Sequence, residues 1–120
     1  AGNIVLKEFA KILESFVPEG AILARYGGEE FVMLIPHMNK SEAAELGEKI
    51  RQKIEIKPFL IESDLTETHQ EEKIHITVSI GVSNVPEDTD EMIGLLRNAD
   101  RALYIGAKQA GRNKVAEYVK

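Results

Sequence analysis

The chain of 120 residues has no cysteine and no tryptophan, and it has few aromatic residues of any kind. The absence of cysteine excludes disulfides and thiolate metal sites, and it suits a reducing compartment. No apolar run approaches the roughly 20 residues that span a bilayer, and no signal peptide opens the chain. We therefore expect a cytoplasmic domain without direct membrane contact, whose parent protein could still carry a membrane anchor elsewhere.

An excess of positive charge is also lacking. Lysine and arginine total 15 against 20 acidic residues, which gives a net charge of −5. This balance argues against a protein that binds the nucleic-acid backbone, because such proteins concentrate basic side chains. A small phosphorylated ligand stays compatible with it, since two or three local cations are enough. With 43% hydrophobic and 29% charged residues, the chain is typical of one globular domain over residues 1–120.

The spacing of the apolar residues predicts an α/β chain. Expected are a helix that ends at Pro18, a hairpin over 21–36, a helix from Asn39, a polar excursion over 57–73 with either a short hairpin or a helical turn, a strand over 74–82, a long helix up to Gly111, and a strand over 115–119. This order predicts an α+β sandwich with a mixed, mainly antiparallel sheet flanked by helices.

Some finer expectations follow from the same patterns. The continuously apolar run from Phe31 to Ile35 predicts a central strand covered on both faces. Asn39 with Glu42, and Asp88 with Glu91, have the spacing of helix capping boxes. The last helix is expected to bury a line of apolar residues, namely Met92, Leu95 or Leu96, Ala99, Leu103 and Ala107.

The hairpin carries two glycines and two glutamates, Gly27-Gly28-Glu29-Glu30, where the chain reverses. Glycine permits a tight turn and lets a ligand approach the main chain, because no Cβ is in the way. Two carboxylates at such a point are hard oxygen ligands of the kind that Mg²⁺ prefers. Taken alone, however, the four residues are better explained as a solvated acidic turn.

A second constellation lies at the end of the last helix. Lys108 and Arg112 are four residues apart and could share one helix face. A lysine point charge beside a forked guanidinium suits a phosphate chain. The alternative is that both cations complement the dipole at a helix C-terminus. The three histidines have no ligand spacing, and with no cysteine a zinc site is not expected.

Three segments together resemble one family. They are "RYGGEEF" at 25–31, "TVSIGVS" at 77–83 and "NADRALYIGAKQAGRNKV" at 98–115. In this order and spacing they are similar to the GGDEF domain family, the diguanylate cyclases. The resemblance runs essentially from end to end of the chain and is interrupted by the polar excursion.

The resemblance implies a fold like the palm of nucleotide cyclases and some polymerases. It implies a reaction in which two protomers, each holding one GTP, face each other and form cyclic di-GMP with release of pyrophosphate. Each half-reaction is attack of a ribose 3′-hydroxyl on the partner's α-phosphate, helped by divalent metals, Mg²⁺ or Mn²⁺. A homodimer and a regulatory sensor or receiver domain in a bacterial parent chain are the implied partners, and nucleic acid is not.

The family's site residues carry over to individual positions. Gly27 and Gly28 match the glycines that give the nucleotide access to the backbone. Glu29 matches the metal-ligating carboxylate, and Glu30 the acidic position beside the reacting hydroxyl, as metal ligand, orienting group or base. The remaining matches are the phosphate-contacting cations, Lys108 and Arg112.

The chain departs from the family pattern in its first residues. The family's opening strand, with its Asp-x-Asp-x-Phe-Lys-x-x-Asn-Asp pattern, is absent, so the domain is expected to be N-terminally incomplete and inactive alone. Asn3 stands where the family usually has a guanine-binding aspartate. Its amide offers donors beside its acceptor, which would weaken guanine binding or relax base choice.

A further departure concerns the family's product-inhibition site, an Arg-x-x-Asp shortly before the hairpin. Pro18 and Ala21 occupy the corresponding positions, so feedback inhibition through that site is not expected. The leading interpretation is a diguanylate cyclase module. The alternative is a non-catalytic GGDEF domain that binds GTP and regulates a neighbouring domain or partner.

Overall fold

The structure, a computed structural model, describes residues 2–27, 30–62, 71–85, 91–108 and 111–119. The backbone contacts divide the chain into two compact units. The first comprises Ala1–His37 and Ile56–Ile76, and the second comprises Met38–Glu55 and Thr77–Lys120. The prediction of one domain over residues 1–120 stays a prediction.

The described residues form helices and strands in alternation. In chain order they are α1 Gly2–Phe16, β1 Ile22–Gly27, β2 Glu30–Leu34, α2 Lys40–Ile56, β3 Phe59–Glu62, β4 Glu71–Ile74, β5 Ile80–Val82, α3 Met92–Arg101, the π-helix Ala102–Lys108, and β6 Val115–Glu117. Two of the strand pairs they form are antiparallel and one is parallel, which confirms the mixed α/β class. No helix among these residues combines the length and the apolar composition needed to cross a membrane.

Helix α1 buries apolar side chains in its C-terminal half. Ile12 and Leu13 are each only 7% exposed, and the ring of Phe9 lies 5.4 Å from that of Phe31 on β2. The helix ends before Pro18, as expected. Because Gly20 has a φ of +83°, a conformation that only glycine adopts at little cost, the chain can turn here into β1.

Strands β1 and β2 form the expected antiparallel hairpin. Ile22 pairs with Leu34 and Arg25 pairs with Phe31. The prediction of a central β2 covered on both faces is not matched within the described residues. There β2 pairs with β1 alone, and its residues after Glu30 are half-buried. A continuous apolar run indicates that a strand is buried in the core, but it does not specify how many strands pair with that strand.

The polar excursion begins and ends in a second hairpin, β3 with β4, whose connection lies outside the described residues. Phe59 on β3 is completely buried. The predicted single strand over 74–82 is wrong, because β4 ends at Ile74 and β5 starts only at Ile80. Residues 75–78 keep the alternation of exposed and half-buried side chains. Alternation thus marks extended backbone, whereas a strand also needs a hydrogen-bonding partner.

In the second unit, α2 begins with the predicted capping box. The backbone N–H of Glu42 donates to Oδ1 of Asn39 at 2.8 Å, and the N–H of Asn39 donates to Oε1 of Glu42 at 3.3 Å. The two bonds satisfy backbone donors that have no partner within the helix. On the buried face, Ile50 is 5% exposed and Ile54 is fully buried.

Strands β5 and β6 pair in parallel, with Gly81 opposite Ala116. A Cβ placed on Gly81 would lie 2.5 Å from the backbone nitrogen of Leu103 and closer still to the carbonyl oxygen of Ala99. A Cβ on Gly106 would lie 2.6 Å from that of Ala116. The helical segment therefore packs on this strand pair at a distance that only glycine permits.

The last helix differs from its prediction in two ways. It becomes a π-helix from Ala102, and the most buried of its described side chains are Asn98, 3% exposed, and Ala102, 6% exposed. Of the expected buried line, Leu95, Leu96, Ala99 and Leu103 are only half-buried, and the side chains of Met92 and Ala107 lie outside the described part of the chain. The backbone of Ala99 and Leu103 nevertheless approaches Gly81 more closely than any side chain at position 81 would allow. Glu91 makes no side-chain cap, and Asp88 lies outside the described residues.

Candidate functional site

The end of the first hairpin is defined by the pairing of Gly27 with Glu30. Only residues 28 and 29 connect these two positions. The register shifts between Arg25 and Gly27, which leaves Tyr26 as an extra residue on β1. Such a bulge twists a strand locally and changes the direction of the side chains beside it. Gly28 and Glu29 themselves lie outside the described residues.

Glu30 is the first residue of β2, and its side chain is exposed. A solvent-accessible carboxylate is a suitable donor for Mg²⁺, which commonly keeps several waters and takes one or two protein carboxylates. The described part of the chain contains no group of three or more acidic, histidine or cysteine residues that could hold a metal ion. Glu30 therefore fits a divalent cation in donor type, and the second predicted ligand, Glu29, is not described.

The two predicted phosphate-binding cations lie in the second unit. Lys108 is the last residue of the π-helix and is half-buried, whereas Arg112 is exposed. Neither side chain makes a hydrogen bond or ion pair with another described residue. Both charges are therefore available to a ligand as far as the described residues are concerned.

Arg112 lies in a backbone segment of unusual conformation. Gly111, Arg112 and Asn113 have φ values of 113°, 62° and 51°, so three successive residues are on the left-handed side. Asparagine tolerates this region better than most residues, but arginine has no such preference. A non-glycine residue held there costs of order 1 kcal/mol and persists only where its surroundings stabilise it.

Those surroundings are centred on Asn113. Its Oδ1 accepts from Nη1 of Arg51 at 3.0 Å, and its Nδ2 donates to Oε2 of Glu55 at 2.8 Å. Its backbone N–H donates to Oγ of Ser79 at 3.0 Å. Asn113 is thus bound to the C-terminal half of α2 and to the segment that precedes β5.

Arg51 holds this cluster together from α2. Its Nε donates to both carboxylate oxygens of Glu48 at 3.0 Å, and its Nη1 donates to Glu55 at 2.5 Å. The hydrogen bond from Asn113, followed by that from Arg51, lowers the pKa of Glu55. The hydrogen bond from Arg51 lowers the pKa of Glu48 in the same way. The cluster stays ionised because each charged group has opposite or polar partners.

Sequence reasoning missed this cluster, although part of it was readable. Glu48, Arg51 and Glu55 have the three- and four-residue spacing at which ion pairs form on a helix. The role of Asn113 was not readable, because its partners are 62, 58 and 34 residues away in the chain.

The structure brings together some of the predicted site residues. Gly27 and Glu30 are a strand pair in the first unit, and Lys108 and Arg112 are both in the second. The prediction that Lys108 and Arg112 share one helix face is wrong, because the helical segment ends at Lys108 and Arg112 has a positive φ. Asn3 is in the first turn of α1, but its side chain is not among those described. The roles of all these residues stay predictions.

The comparison with protein families decides what the chain is related to. Residues 1–114 match the family described as "Diguanylate cyclase, GGDEF domain". The chain belongs to the GGDEF family. Diguanylate cyclase A of Treponema denticola is 39% identical over 115 residues, which are 96% of this chain and 29% of that protein. The response regulator PleD of Caulobacter vibrioides is 40% identical over 114 residues, 95% of this chain and 24% of PleD.

Solved GGDEF domains also share the fold. The active GGEEF domain of a diguanylate cyclase from Vibrio cholerae is 31% identical, with a TM-score of 0.80, over 99% of this chain and 69% of that one. The GGDEF domain of DgcB from Caulobacter crescentus, in complex with c-di-GMP, is 30% identical with a TM-score of 0.76, over 95% and 63%. The palm-like fold predicted from the sequence is therefore confirmed. The chain spans less than a third of the two relatives' length.

Proposed function

We propose that this GGDEF domain is a diguanylate cyclase module that condenses two GTP molecules into cyclic di-GMP. In each half-reaction, the ribose 3′-oxygen of one GTP forms a bond to the α-phosphorus of the other. The bond from that phosphorus to the bridging oxygen breaks, and pyrophosphate leaves with the electron pair. Two such steps close the ring, so two GTP give one cyclic di-GMP and two pyrophosphates.

The observation that carries the proposal is the sequence Gly-Gly-Glu-Glu-Phe at the end of the first hairpin. Gly27 pairs with Glu30 there, and the Glu30 carboxylate is exposed. The solved domain from Vibrio cholerae is named for the same five letters, and its name calls it active. A domain that only bound nucleotide would have no need for the metal-ligand glutamate.

We assign roles to the site residues on this basis. Gly27 and Gly28 admit the nucleotide to the backbone, while Lys108 and Arg112 bind its phosphates. Glu29 and Glu30 would hold Mg²⁺ or Mn²⁺, which when bound lowers the pKa of the attacking hydroxyl and neutralises charge on the leaving pyrophosphate. Glu30 can also orient that hydroxyl or accept its proton.

The reaction needs two nucleotides that approach each other in opposite directions. A homodimer with twofold symmetry supplies two identical half-sites in that arrangement. The proposed setting is the cytoplasm, where GTP is available, within a longer protein that has a sensor or receiver domain. The similarity to a response regulator supports such an architecture.

The test uses the full-length protein that contains this chain. It is incubated with GTP and Mg²⁺, and the products are identified by mass. Cyclic di-GMP and pyrophosphate in a ratio of one to two are expected. GTP that stays intact, in a protein that binds it, would overturn the proposal.

Glu30→Gln provides the matched variant. The exposed side chain makes no described contact that stabilises the fold, so the melting temperature should be unchanged. The rate of synthesis should fall about 100-fold or more, as for the loss of a metal ligand or a group that handles a proton. An unaltered rate would remove Glu30 from the site.

A second candidate is a non-catalytic GGDEF domain that binds GTP and regulates a neighbouring domain or partner. Asn3 favours it, because an amide is a poorer acceptor for the guanine N–H groups than a carboxylate. Calorimetry separates the two functions. GTP binding without any cyclic di-GMP, even with Mn²⁺, would support the regulatory domain.

A further inference from the structure

We propose that Asn113 is a positioning residue that holds Arg112 ready to bind the phosphate chain of the nucleotide. This inference rests on the proposed function, which makes Arg112 a phosphate ligand. It adds that the cluster of Asn113, Arg51, Glu55 and Ser79 exists to fix the backbone beside that ligand.

The backbone around Arg112 has an unusual conformation. Arg112 has a φ of 62° and lies between two residues that also have positive φ. Left to itself, an arginine leaves this region readily, because its Cβ crowds the following carbonyl. Its exposed side chain makes no contact with another described residue, so within the described part of the chain the restraint comes through the main chain.

Asn113 supplies that restraint. Its amide bonds to Arg51 and Glu55 on α2, and its backbone N–H bonds to Ser79. Three bonds to two separate segments fix both the position and the direction of the peptide that follows Arg112. Arg51 is itself held by ion pairs with Glu48 and Glu55, and its side chain is only 16% exposed.

A fixed backbone at Arg112 has a consequence for phosphate binding. A loop that already has its bound conformation loses less entropy when a ligand arrives. A guanidinium also binds phosphate well only if its forked donors have the correct direction. Breaking the hydrogen bonds of Asn113 should therefore weaken phosphate binding, although none of the groups that contact the phosphate is changed.

The experiment is a double-mutant cycle in the full-length protein. Affinity for a GTP analogue with a methylene bridge between its α- and β-phosphates is measured by calorimetry with Mg²⁺. The proteins are the wild type, Arg112→Ala, Asn113→Gly and the double variant. Glycine at 113 permits the same φ, so the substitution removes the side-chain bonds and leaves the turn accessible.

We expect Arg112→Ala to weaken binding about tenfold and Asn113→Gly about fivefold. In the Arg112→Ala background, Asn113→Gly should have almost no further effect, because its influence passes through Arg112. A purely structural role would lower the affinity in both backgrounds alike, and that result would overturn the inference.

A matched pair on α2 provides the control. Glu55→Ala removes a partner of Asn113, and Glu48→Ala removes a partner of Arg51 that does not contact Asn113. Glu55→Ala should weaken analogue binding more than Glu48→Ala does, with similar melting temperatures. Equal losses of analogue affinity in the two variants would contradict the proposal that Asn113 positions Arg112.

The cycle also separates this inference from the proposed function. If Arg112→Ala leaves the affinity unchanged, the phosphate role of Arg112 fails, and the positioning role fails with it. If Arg112→Ala weakens binding but Asn113→Gly does not, only the positioning role fails. Cyclic di-GMP synthesis by the wild type, with KM raised and kcat kept in Asn113→Gly, would support both.

Discussion

Asn3 lies in the first turn of α1, where the family resemblance places an aspartate that binds guanine. A carboxylate presents acceptors only, which matches the two N–H groups on the guanine edge. An amide presents one acceptor and two donors, and the donors oppose those N–H groups. We therefore propose that the amide of Asn3 weakens the preference of this chain for guanine.

Replacing Asn3 by aspartate should restore a preference for guanine. Hydrogen bonds to a charged acceptor are roughly twice as strong as neutral ones, so GTP affinity should rise about tenfold while ATP affinity stays unchanged or falls. Calorimetric titration of both nucleotides before and after Asn3→Asp measures the ratio. An identical ratio in the two proteins would show that residue 3 does not contact the base.

At the scale of single elements, two carboxylates on α2 make the stability of the fold depend on pH. Hydrogen bonds from Asn113 and Arg51 lower the pKa of Glu55, and a hydrogen bond from Arg51 lowers that of Glu48. A group whose pKa is lower in the folded state binds its proton less tightly there than in the unfolded chain. Its stabilisation is therefore complete above the ordinary glutamate pKa and is lost as the pH falls through the lowered value.

Glu48→Gln with Glu55→Gln should accordingly flatten the pH dependence of stability on the acid side. Melting temperatures are measured from pH 7 downwards, past the ordinary glutamate pKa of about 4.3. The double variant should be less stable than the wild type at pH 7 and should approach it as the pH falls. Glu45→Gln, an exposed change on the same helix, is the control and should follow the wild type. A double variant with the wild-type profile would contradict the expectation.

The packing of the π-helix on β5 depends on the lack of a side chain at Gly81. Gly81→Ala would push a Cβ against backbone atoms of Ala99 and Leu103, which cannot move aside as a side-chain end can. We expect Gly81→Ala to lower the free energy of unfolding by about 3 kcal/mol, which is at the upper end of the range for overpacking. Chemical unfolding measures this difference.

Gly20→Ala is the comparison for this prediction. Nothing lies within 4 Å of its Cβ position, but its φ is +83°. Gly20→Ala should lower the free energy of unfolding by only about 1 kcal/mol, because it introduces backbone strain alone. Equal losses at the two positions would show that strand-to-helix distance is not the limiting factor.

Elements with local signals were predictable, and those whose limits depend on partners were not. The capping box at Asn39 and the glycine pair of the first hairpin are encoded within a few neighbouring residues. Strand β5 is shorter than its alternating pattern because its ladder to β6 begins only at Ile80. The buried face of α3 passes through Asn98, a polar residue that no hydropathy pattern assigns to a core.

At the scale of the whole molecule, the turn between α1 and β1 is where the family resemblance places a product-inhibition site. The backbone N–H of Ala21 donates to the carbonyl of Pro18 at 3.1 Å, and both residues are half-buried. Neither side chain has a charge or a polar atom. The turn therefore offers nothing that grips a guanine edge or a phosphate in the way an arginine and an aspartate would.

Cyclic di-GMP should not inhibit the enzyme through this turn. The initial rate of pyrophosphate release should stay constant when product is added at concentrations that cover the nanomolar to micromolar range. Introducing the pair Pro18→Arg and Ala21→Asp should create product inhibition where there was none. Strong inhibition of the wild type that persists when both positions are changed to serine would locate the product site elsewhere.

The sequence by itself determined the family, the α/β class, the hairpin at Gly27–Glu30 and the identity of the phosphate-binding candidates. It could do so because capping, turn formation and apolar periodicity are interactions between near neighbours. Only the tertiary structure decided where β5 begins, that the last helix becomes a π-helix over Gly81, and that Asn113 is bound to α2. These features arise from contacts between residues tens of positions apart, which folding alone brings within hydrogen-bond distance.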